Sequence, residues 1–474
     1  MRNTDRVWDH VEAKREAFEA LSDRVWGMPE LLYAEFRSAA EHETALRAEG
    51  FAVTKDLAGI PTAVMGEAGE GGPVIAILGE YDALPGLSQE AGLAEPRPVE
   101  PGGHGHGCGH NLLGAGALLA ATAVKDWLAA NGVAGRVRYY GCPAEEGGAA
   151  KAFMVRAGCF DDVDIAITWH PNAFNRVAPA LALANSRLDF TFRGRASHAA
   201  AAPHLGRSAL DAVELMNVGV NYLREHVPAD SRIHYAIMDT GGIAPNVVQA
   251  HARVRYAIRA ASREPMLALV ERVRKVAEGA ALMTETRMES QVLSAVSDLV
   301  GNRPLEEAMQ AQMDRLGPPP FDAEDRAFAD AIQTTLRDED VESAYAVAGV
   351  ERRDGQPLHD GIVPLDAKGL PLMGSTDVGD VSWVVPTVQA HCATIAIGTP
   401  GHSWQVTAQG KSRAAKKGMV MAAKVMAGTA CAALGDAQLV RAAQADLARR
   451  TAKAPYRSPI PAGVEPPLRM SLGD

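Results

Sequence analysis

Short apolar runs that alternate with helix-like segments constrain the fold of this chain most. The apolar runs cover residues 73–79, 136–141 and 163–168, and helical segments are predicted between them at 112–130 and 149–157. The first run, PVIAILG, is bounded by proline and glycine and is typical of a strand that is buried on both faces. Strand and helix alternating in this way predict an α/β fold with a mostly parallel sheet covered by helices.

The pattern of predicted elements changes near Asn185. Strand, helix, strand, strand, helix and strand follow one another over about a hundred residues, an order typical of a ferredoxin-like α+β unit. Helices return from about Ser297, and a last buried strand at 392–398 leads into a loop that carries His402. We therefore expect one domain formed by 1–184 and 296–474, with an α+β domain inserted at 185–295.

Composition argues against several classes of partner. The net charge of −11 argues against nucleic acid, because phosphate binding needs a basic surface. No apolar run reaches the length that spans a bilayer, and the charged start lacks the apolar core of a signal peptide, so we expect no membrane partner. Five widely spaced cysteines do not form a disulfide framework, which predicts a reducing, cytoplasmic location.

Polar residues follow the predicted strands at the points where the strands end. Because ligands of an open parallel sheet bind at the carboxyl ends of its strands, these residues are expected to converge at one edge. Thiolate, imidazole and carboxylate suit zinc or manganese. One thiolate, one carboxylate and three imidazoles are too many for one catalytic ion, so two divalent ions that share a ligand fit better. The five candidate ligands are Cys108, His110, Glu146, His170 and His402.

Alternative interpretations exist for each part of this site. The glycine- and histidine-rich loop 104–110 can bind metal adventitiously, and Glu145-Glu146 can be an ordinary acidic loop. The position of this pair after Pro143 at a strand end favours function: one carboxylate binds metal and the other moves protons. Asp377 and Asp380 are interpreted as solvated loop carboxylates, with substrate contact the less favoured alternative.

Four motifs occur in the order His106–His110, Pro143–Gly148, Trp169–Pro171 and Pro400–Ser403. Together they resemble the dinuclear amidohydrolases of the M20 metallopeptidase family. The segments 80–86 and 217–226 are similar to the branch that contains aminobenzoyl-glutamate hydrolases and M20-domain dipeptidases. The resemblance covers nearly the whole chain.

This resemblance implies roles for individual residues. It implies that Cys108 takes the place of a bridging aspartate, that Glu145 is the general base and that Asp82 supports the site. The inserted unit becomes a lid and dimerisation domain, in which His198 polarises the scissile carbonyl in the partner subunit's site. Asn246 and Arg259 are implied to hold the substrate's carbonyl and carboxylate. The resemblance further implies a homodimer, alone or with a related subunit, and two Zn or Mn ions per subunit.

The expected activity is hydrolysis of the amide bond of an N-acyl or N-aroyl amino acid, similar to p-aminobenzoyl-glutamate. A metal-activated water attacks the carbonyl, and a glutamate acts as general base. The alternative is a dipeptidase for small dipeptides with a basic residue. A non-catalytic homologue would have lost a ligand or the base, and this sequence retains them all.

Overall fold

The chain forms two β-sheets with helices packed against both. The structure is a computed structural model and describes residues 5–371 and 374–472. The strands are β1 (Ala52–Lys55), β2 (Val64–Glu70), β3 (Val74–Glu80), β4 (Gly135–Cys142), β5 (Ile165–Asn172), β6 (Arg176–Val177), β7 (Ala184–Arg193), β8 (Arg232–Asp239), β9 (His251–Ala260), β10 (Arg287–Val296) and β11 (Thr387–Ala393). The helices are α1 (Asp5–Trp26), α2 (Phe36–Ala48), α3 (His110–Asn131), α4 (Ala150–Arg156), α5 (Ala209–Leu223), α6 (Arg263–Thr284), α7 (Arg303–Leu316), α8 (Ala323–Gln333), α9 (Asp338–Ala348), α10 (Val378–Val384), α11 (Trp404–Gln409), α12 (Arg413–Gly435) and α13 (Ala437–Thr451).

The main sheet has seven strands in the order β1-β2-β4-β3-β5-β11-β6. Strands β4, β3, β5 and β11 at its centre are parallel. Strand β2 pairs antiparallel with β4, and β6 pairs antiparallel with β11. The parallel arrangement expected from the sequence is therefore found at the centre, and antiparallel pairing towards both edges makes the whole sheet mixed.

Helices cover both faces of the main sheet, as the sequence of β3 requires. All seven residues of β3 are buried. Ile75 and Ile77 pack into a core with α1, α3 and α12, whereas Ala76 and Leu78 pack into a second core with α4 and α10. Helix α3 approaches β3 closely because Gly114 has no side chain: a Cβ there would lie 2.5 Å from the carbonyl oxygen of Glu80.

The second sheet is antiparallel and has the order β10-β7-β9-β8. The chain forms it as β7, α5, β8, β9, α6 and β10, which is the element order expected for the insert. Alternate residues of β7 and β9, such as Leu188 and Tyr256, pack with α5 and α6. The opposite face of this sheet carries polar and charged side chains, among them Arg187 and Arg259.

Three sequence-based expectations need correction. His170 lies inside β5, because this strand continues to Asn172. Asp377 and Asp380 are buried and are not solvated loop residues. Helices α3 and α12 are long and apolar enough by length and composition to cross a membrane, although no apolar run of that length was expected. In each, 83% of the apolar window is buried inside the protein, which is typical of core helices.

Candidate metal centre

Potential metal ligands converge at the carboxyl edge of the main sheet. Within each group, one ligand atom from every residue lies within 4.8 Å of the others. Cys108 belongs to two of the three groups, so the five candidate ligands form two sites joined by one thiol. The groups are Cys108 with His110 and His170, Cys108 with Glu146 and His402, and Glu80 with His110 and Glu145.

Hydrogen bonds fix the orientation of two imidazole rings. His110 begins α3, and its Nδ1 lies 2.8 Å from Oδ1 of Asp82. The Nδ1 of His170 donates to the carbonyl oxygen of Pro171 at 2.8 Å. In both rings Nε2 is therefore the nitrogen available to a metal, and Nε2 of His170 lies 3.4 Å from Sγ of Cys108. Partners of this kind select the tautomer and orientation of metal-binding histidines.

Two buried carboxylates hold the turn that carries Glu145 and Glu146. Ala144 adopts a left-handed conformation with φ of 56°, and its N–H donates to Oε1 of Glu35 at 2.8 Å. The N–H of Glu146 donates to Oδ2 of Asp82 at 2.9 Å. Asp82 therefore connects the His110 ring to this turn.

The donor set fits divalent cations. Among the described residues, Nε2 of His110 and Oε1 of Glu146 are buried and make no hydrogen bond, although Oε2 of Glu80 lies 3.2 Å from Nε2 of His110. A bound cation would satisfy both atoms. Burial, followed by the charge of Glu146, raises the pKa of the Cys108 thiol. A thiolate at this position therefore needs a cation beside it, and metal binding deprotonates such thiols.

Glu145 differs from Glu146 in its surroundings. It is absent from both groups that share Cys108, and it forms the third group with His110 and Glu80. Desolvation, followed by the charges of Glu80 and Glu146, raises the pKa of Glu145 well above its ordinary value. A carboxyl group with a raised pKa can take up a proton and release it again, as a general base followed by a general acid must.

A cavity of about 680 Å³ opens over these groups. Its lining includes Cys108, Glu145 and Glu146 together with Arg187 and Arg259. The cavity is thus walled by the main sheet, which carries the acidic groups, and by the second sheet, which carries the cationic ones.

The structure places two other predicted site residues elsewhere. His198 and Asn246 are exposed, and neither lines the cavity of its own chain. They are neighbours: His198 forms an isolated bridge with Val247, and the N–H of Ala199 donates to the carbonyl oxygen of Asn246 at 3.0 Å. Arg259 does line the cavity, and so does Asp377, for which substrate contact was the less favoured interpretation.

Sequence reasoning missed a buried ion network beneath the candidate ligands. Nζ of Lys151 lies 2.6 Å from both Glu80 and Asp377, and Oε2 of Glu80 lies 3.2 Å from Nε2 of His110. Although burial raises the pKa of Glu80, the nearby cations Lys151 and His110 lower it overall. Glu80 could have been found because it directly follows the strand predicted at 73–79, whereas nothing in the sequence connects Lys151 to Asp377.

The fold and this site define a class of protein, a metal-dependent hydrolase built on a mixed α/β sheet. The chain belongs to peptidase family M20/M25/M40, because the sequence model of that family matches residues 76–351. Helix α3, strands β4 and β5 and the whole second sheet lie within that range, together with four of the five candidate ligands.

Curated relatives and solved structures agree with this membership. The chain is 48% identical to the B subunit of p-aminobenzoyl-glutamate hydrolase from Escherichia coli K12, over 97% of this chain and 98% of that protein. It is 29% identical to Xaa-Arg dipeptidase of Mus musculus, over 90% and 87% of the two chains. A dinuclear metal-binding M20 peptidase from Bacillus subtilis shares the fold with a TM-score of 0.57 at 17% identity, covering 90% of this chain and 99% of that one. The aminobenzoyl-glutamate utilization protein from Klebsiella pneumoniae gives 0.56 at 18% identity, covering 89% and 97%.

Proposed function

We propose that this protein hydrolyses the amide bond of an N-acyl or N-aroyl amino acid and that p-aminobenzoyl-glutamate is the first substrate to test. One observation carries the proposal: Glu145, with its raised pKa, lies beside two ligand groups that share Cys108, at the wall of one cavity. The name of the Escherichia coli relative, a p-aminobenzoyl-glutamate hydrolase, supports the choice of substrate.

Two divalent ions fit the ligand set. Cys108, His110 and His170 would hold one ion, and Cys108, Glu146 and His402 the other. Ions bound there would polarise the amide carbonyl and lower the pKa of a water molecule. Zinc and manganese both accept thiolate, imidazole and carboxylate ligands, so we propose either metal.

The side chains of this protein then supply proton transfer and positioning. Glu145 takes a proton from the attacking water and passes it to the amide nitrogen as the C–N bond breaks, which releases a carboxylic acid and an amino acid. Asp82 keeps the His110 ring and the Glu146 backbone in place. Arg259 binds the carboxylate of the amino acid from the opposite wall of the cavity.

The division of the chain and its assembly belong to the same proposal. We propose that 1–184 and 296–474 form the catalytic domain and that 185–295 form a lid through which two copies dimerise. The exposed position of His198 supports a role in the site of a partner subunit. The Escherichia coli hydrolase also has a separate, related A subunit, which keeps a second kind of chain in the proposal. Five unpaired cysteines support a cytoplasmic location.

A dipeptidase for substrates with a basic residue is the weaker candidate. The similarity to Xaa-Arg dipeptidase favours it. The cavity wall carries two guanidinium groups, however, and like charges placed close together in a site cost binding energy. An acidic amino acid fits this wall better than a basic one.

Separate substitutions of the two adjacent glutamates test the proposal. Glu145→Gln should keep both metals and the fold but lose turnover of p-aminobenzoyl-glutamate by about 10²–10⁴-fold, the range for general acid–base catalysis. Glu146→Gln is the matched neighbour and should lose metal as well. Elemental analysis and chromatographic detection of p-aminobenzoate give the two readouts. If Glu145→Gln loses metal and Glu146→Gln keeps it, the two roles are reversed. If metal-loaded wild type does not hydrolyse p-aminobenzoyl-glutamate, the proposed substrate is wrong.

A further inference from the structure

Two arginines of the second sheet face the cavity without an anionic partner among the described residues. Nη2 of Arg187 donates to the carbonyl oxygen of Glu146 at 3.4 Å, and Nη1 of Arg259 donates to Oγ of Ser375 at 3.0 Å. Within residues 5–371 and 374–472, neither guanidinium forms an ion pair with a carboxylate. In the same ranges, Nε of Arg259 is buried without any hydrogen-bond partner. Each guanidinium has five N–H donors, so both retain donors for a ligand.

Three of the nearby carboxylates are already engaged by other cations. Asp189, on the same face of β7, is bound by Arg255 at 2.7 Å and 3.0 Å. Glu80 and Asp377 share Lys151. Burial, followed by the charges of Arg255 and Arg259, lowers the pKa of Arg187, while the charges of Glu146 and Glu145 act in the opposite direction. A guanidinium remains protonated in proteins, so Arg187 stays a cation at the cavity wall.

The missing side chain of Gly147 leaves space for Arg187 over the turn that carries Glu145 and Glu146. A Cβ on Gly147 would lie 1.8 Å from Nη1 of Arg187, so a side chain larger than hydrogen there would displace the guanidinium. Arg259 is opposite Asn185 in the β7–β9 register, and Arg187 is two residues further along β7 on the same face. Such diagonal neighbours have Cβ atoms about 7–8 Å apart, which allows two long side chains to bind two carboxylates of one small molecule.

From this arrangement, and resting on the proposed function, we infer that Arg187 forms a binding subsite for the side-chain carboxylate of an acidic amino acid. Arg259 binds the α-carboxylate of the same residue. The pair would make the enzyme selective for N-acyl dicarboxylic amino acids, because a neutral side chain leaves the Arg187 guanidinium desolvated without a counter-ion. Arg187 is thus a specificity-determining residue and takes no part in proton transfer.

Paired substrates that differ only in this carboxylate test the inference. The wild-type enzyme is compared with Arg187→Gln on p-aminobenzoyl-L-glutamate and on p-aminobenzoyl-L-glutamine, its neutral isostere. Loss of one charged hydrogen-bonded contact predicts a fall of about 10- to 100-fold in kcat/KM for the glutamate substrate, against a change within about threefold for the glutamine substrate. The retained turnover of the glutamine substrate shows that the variant is folded and holds its metals.

Two further variants sharpen the result. Arg187→Lys should recover part of the preference for glutamate, because it keeps the charge but loses the two-pronged geometry. Arg193→Gln, at an exposed arginine of the same strand paired with Glu289, should leave both substrates unaffected. A second readout is the rise in melting temperature with free L-glutamate over L-glutamine, which Arg187→Gln should abolish.

The possible failures are distinct. If wild type turns over neither substrate, the proposed function fails. If wild type turns over p-aminobenzoyl-glutamate and Arg187→Gln loses both substrates equally, Arg187 instead supports the Glu146 turn, and the inference is overturned. An unchanged ratio of kcat/KM for the two substrates in Arg187→Gln overturns it as well.

Discussion

His198 allows the sharpest test of whether each active site is built from two chains. It is exposed and does not line the cavity of its own chain. Its Nδ1 accepts the N–H groups of Ala200 and Ala201 at 3.2 Å and 3.1 Å, so Nε2 is the nitrogen that carries the proton and can donate. If that N–H points at the oxyanion formed in a partner's site, His198→Ala should lower kcat by about 10²–10³-fold, the range for one oxyanion donor.

The loss should not involve the metals, because His198 belongs to none of the three ligand groups. His198→Ala is therefore expected to retain wild-type metal content and the proposed dimer. Glu145→Gln, which is defective in proton transfer, is the complementary variant. In a dimer of one chain of each, one site carries both defects and the other carries neither.

Subunit exchange between two differently tagged variants gives the measurement. The heterodimer purified through both tags should regain about half of the wild-type activity, and an unfractionated equal mixture about a quarter, since about half of its dimers are mixed. Each homodimer alone is the control and should stay inactive. A purified heterodimer without recovered activity would show that His198 acts within its own chain or has no catalytic role.

Two further predictions concern the metals and acid stability. Cys108→Ser should bind metal poorly, because a serine hydroxyl does not ionise near neutral pH as a metal-bound thiol does; two full equivalents of metal by elemental analysis would contradict the shared-ligand assignment. Burial lowers the pKa of His42 to about 3, so the unfolded chain binds a proton that the folded chain refuses, and stability falls as the pH drops below about 6.5. Lowering the pH from 7 to 5 should reduce the free energy of unfolding by about 2 kcal/mol through this group. In thermal scans, the melting temperature of His42→Gln should therefore depend less steeply on pH than that of wild type. Equal pH dependence of the two melting temperatures would refute the prediction.

The central strands and the convergence of the site were predictable because both depend on local patterns. A strand with apolar residues on both faces, such as β3, must be covered by helices on both sides. The carboxyl ends of parallel strands then meet, which is why residues as distant in sequence as Cys108 and His402 could be expected at one edge. Strands β1 and β2 were not predicted. The residues of β2 become exposed towards its end, and the strand contains Gly66 and Gly69.

The ion network was not predictable, because its partners are joined only by the tertiary fold. Lys151 and Asp377 are 226 residues apart in sequence, and no periodic pattern marks either as buried. Asp377 was interpreted as solvated because loop carboxylates usually are. Burial raises the pKa of Asp377 to about 6 despite the opposing charge of Lys151, a consequence that only the three-dimensional surroundings reveal.

The carboxylates of the site differ in role because they differ in counter-ion. Asp82 is bound to His110, and Glu80 and Asp377 share Lys151, so these three are fixed and act on structure. Among the described residues, no lysine or arginine pairs with Glu145 or Glu146, and the pKa of each is raised, first by burial. A cation held by Glu146 would lower its pKa and keep it ionised, whereas Glu145 would remain able to take a proton.

The two arginines of the second sheet that line the cavity also lack a counter-ion within the described part of the chain. Arg187 and Arg259 lack carboxylate partners among the described residues, so a bound anion is the group that would neutralise them. An N-acyl dicarboxylic amino acid would place its carboxylates on this wall and its amide towards Glu145. The direction of the substrate in the cavity would therefore be set by charge, because a reversed molecule would bring its carboxylates against Glu145 and Glu146.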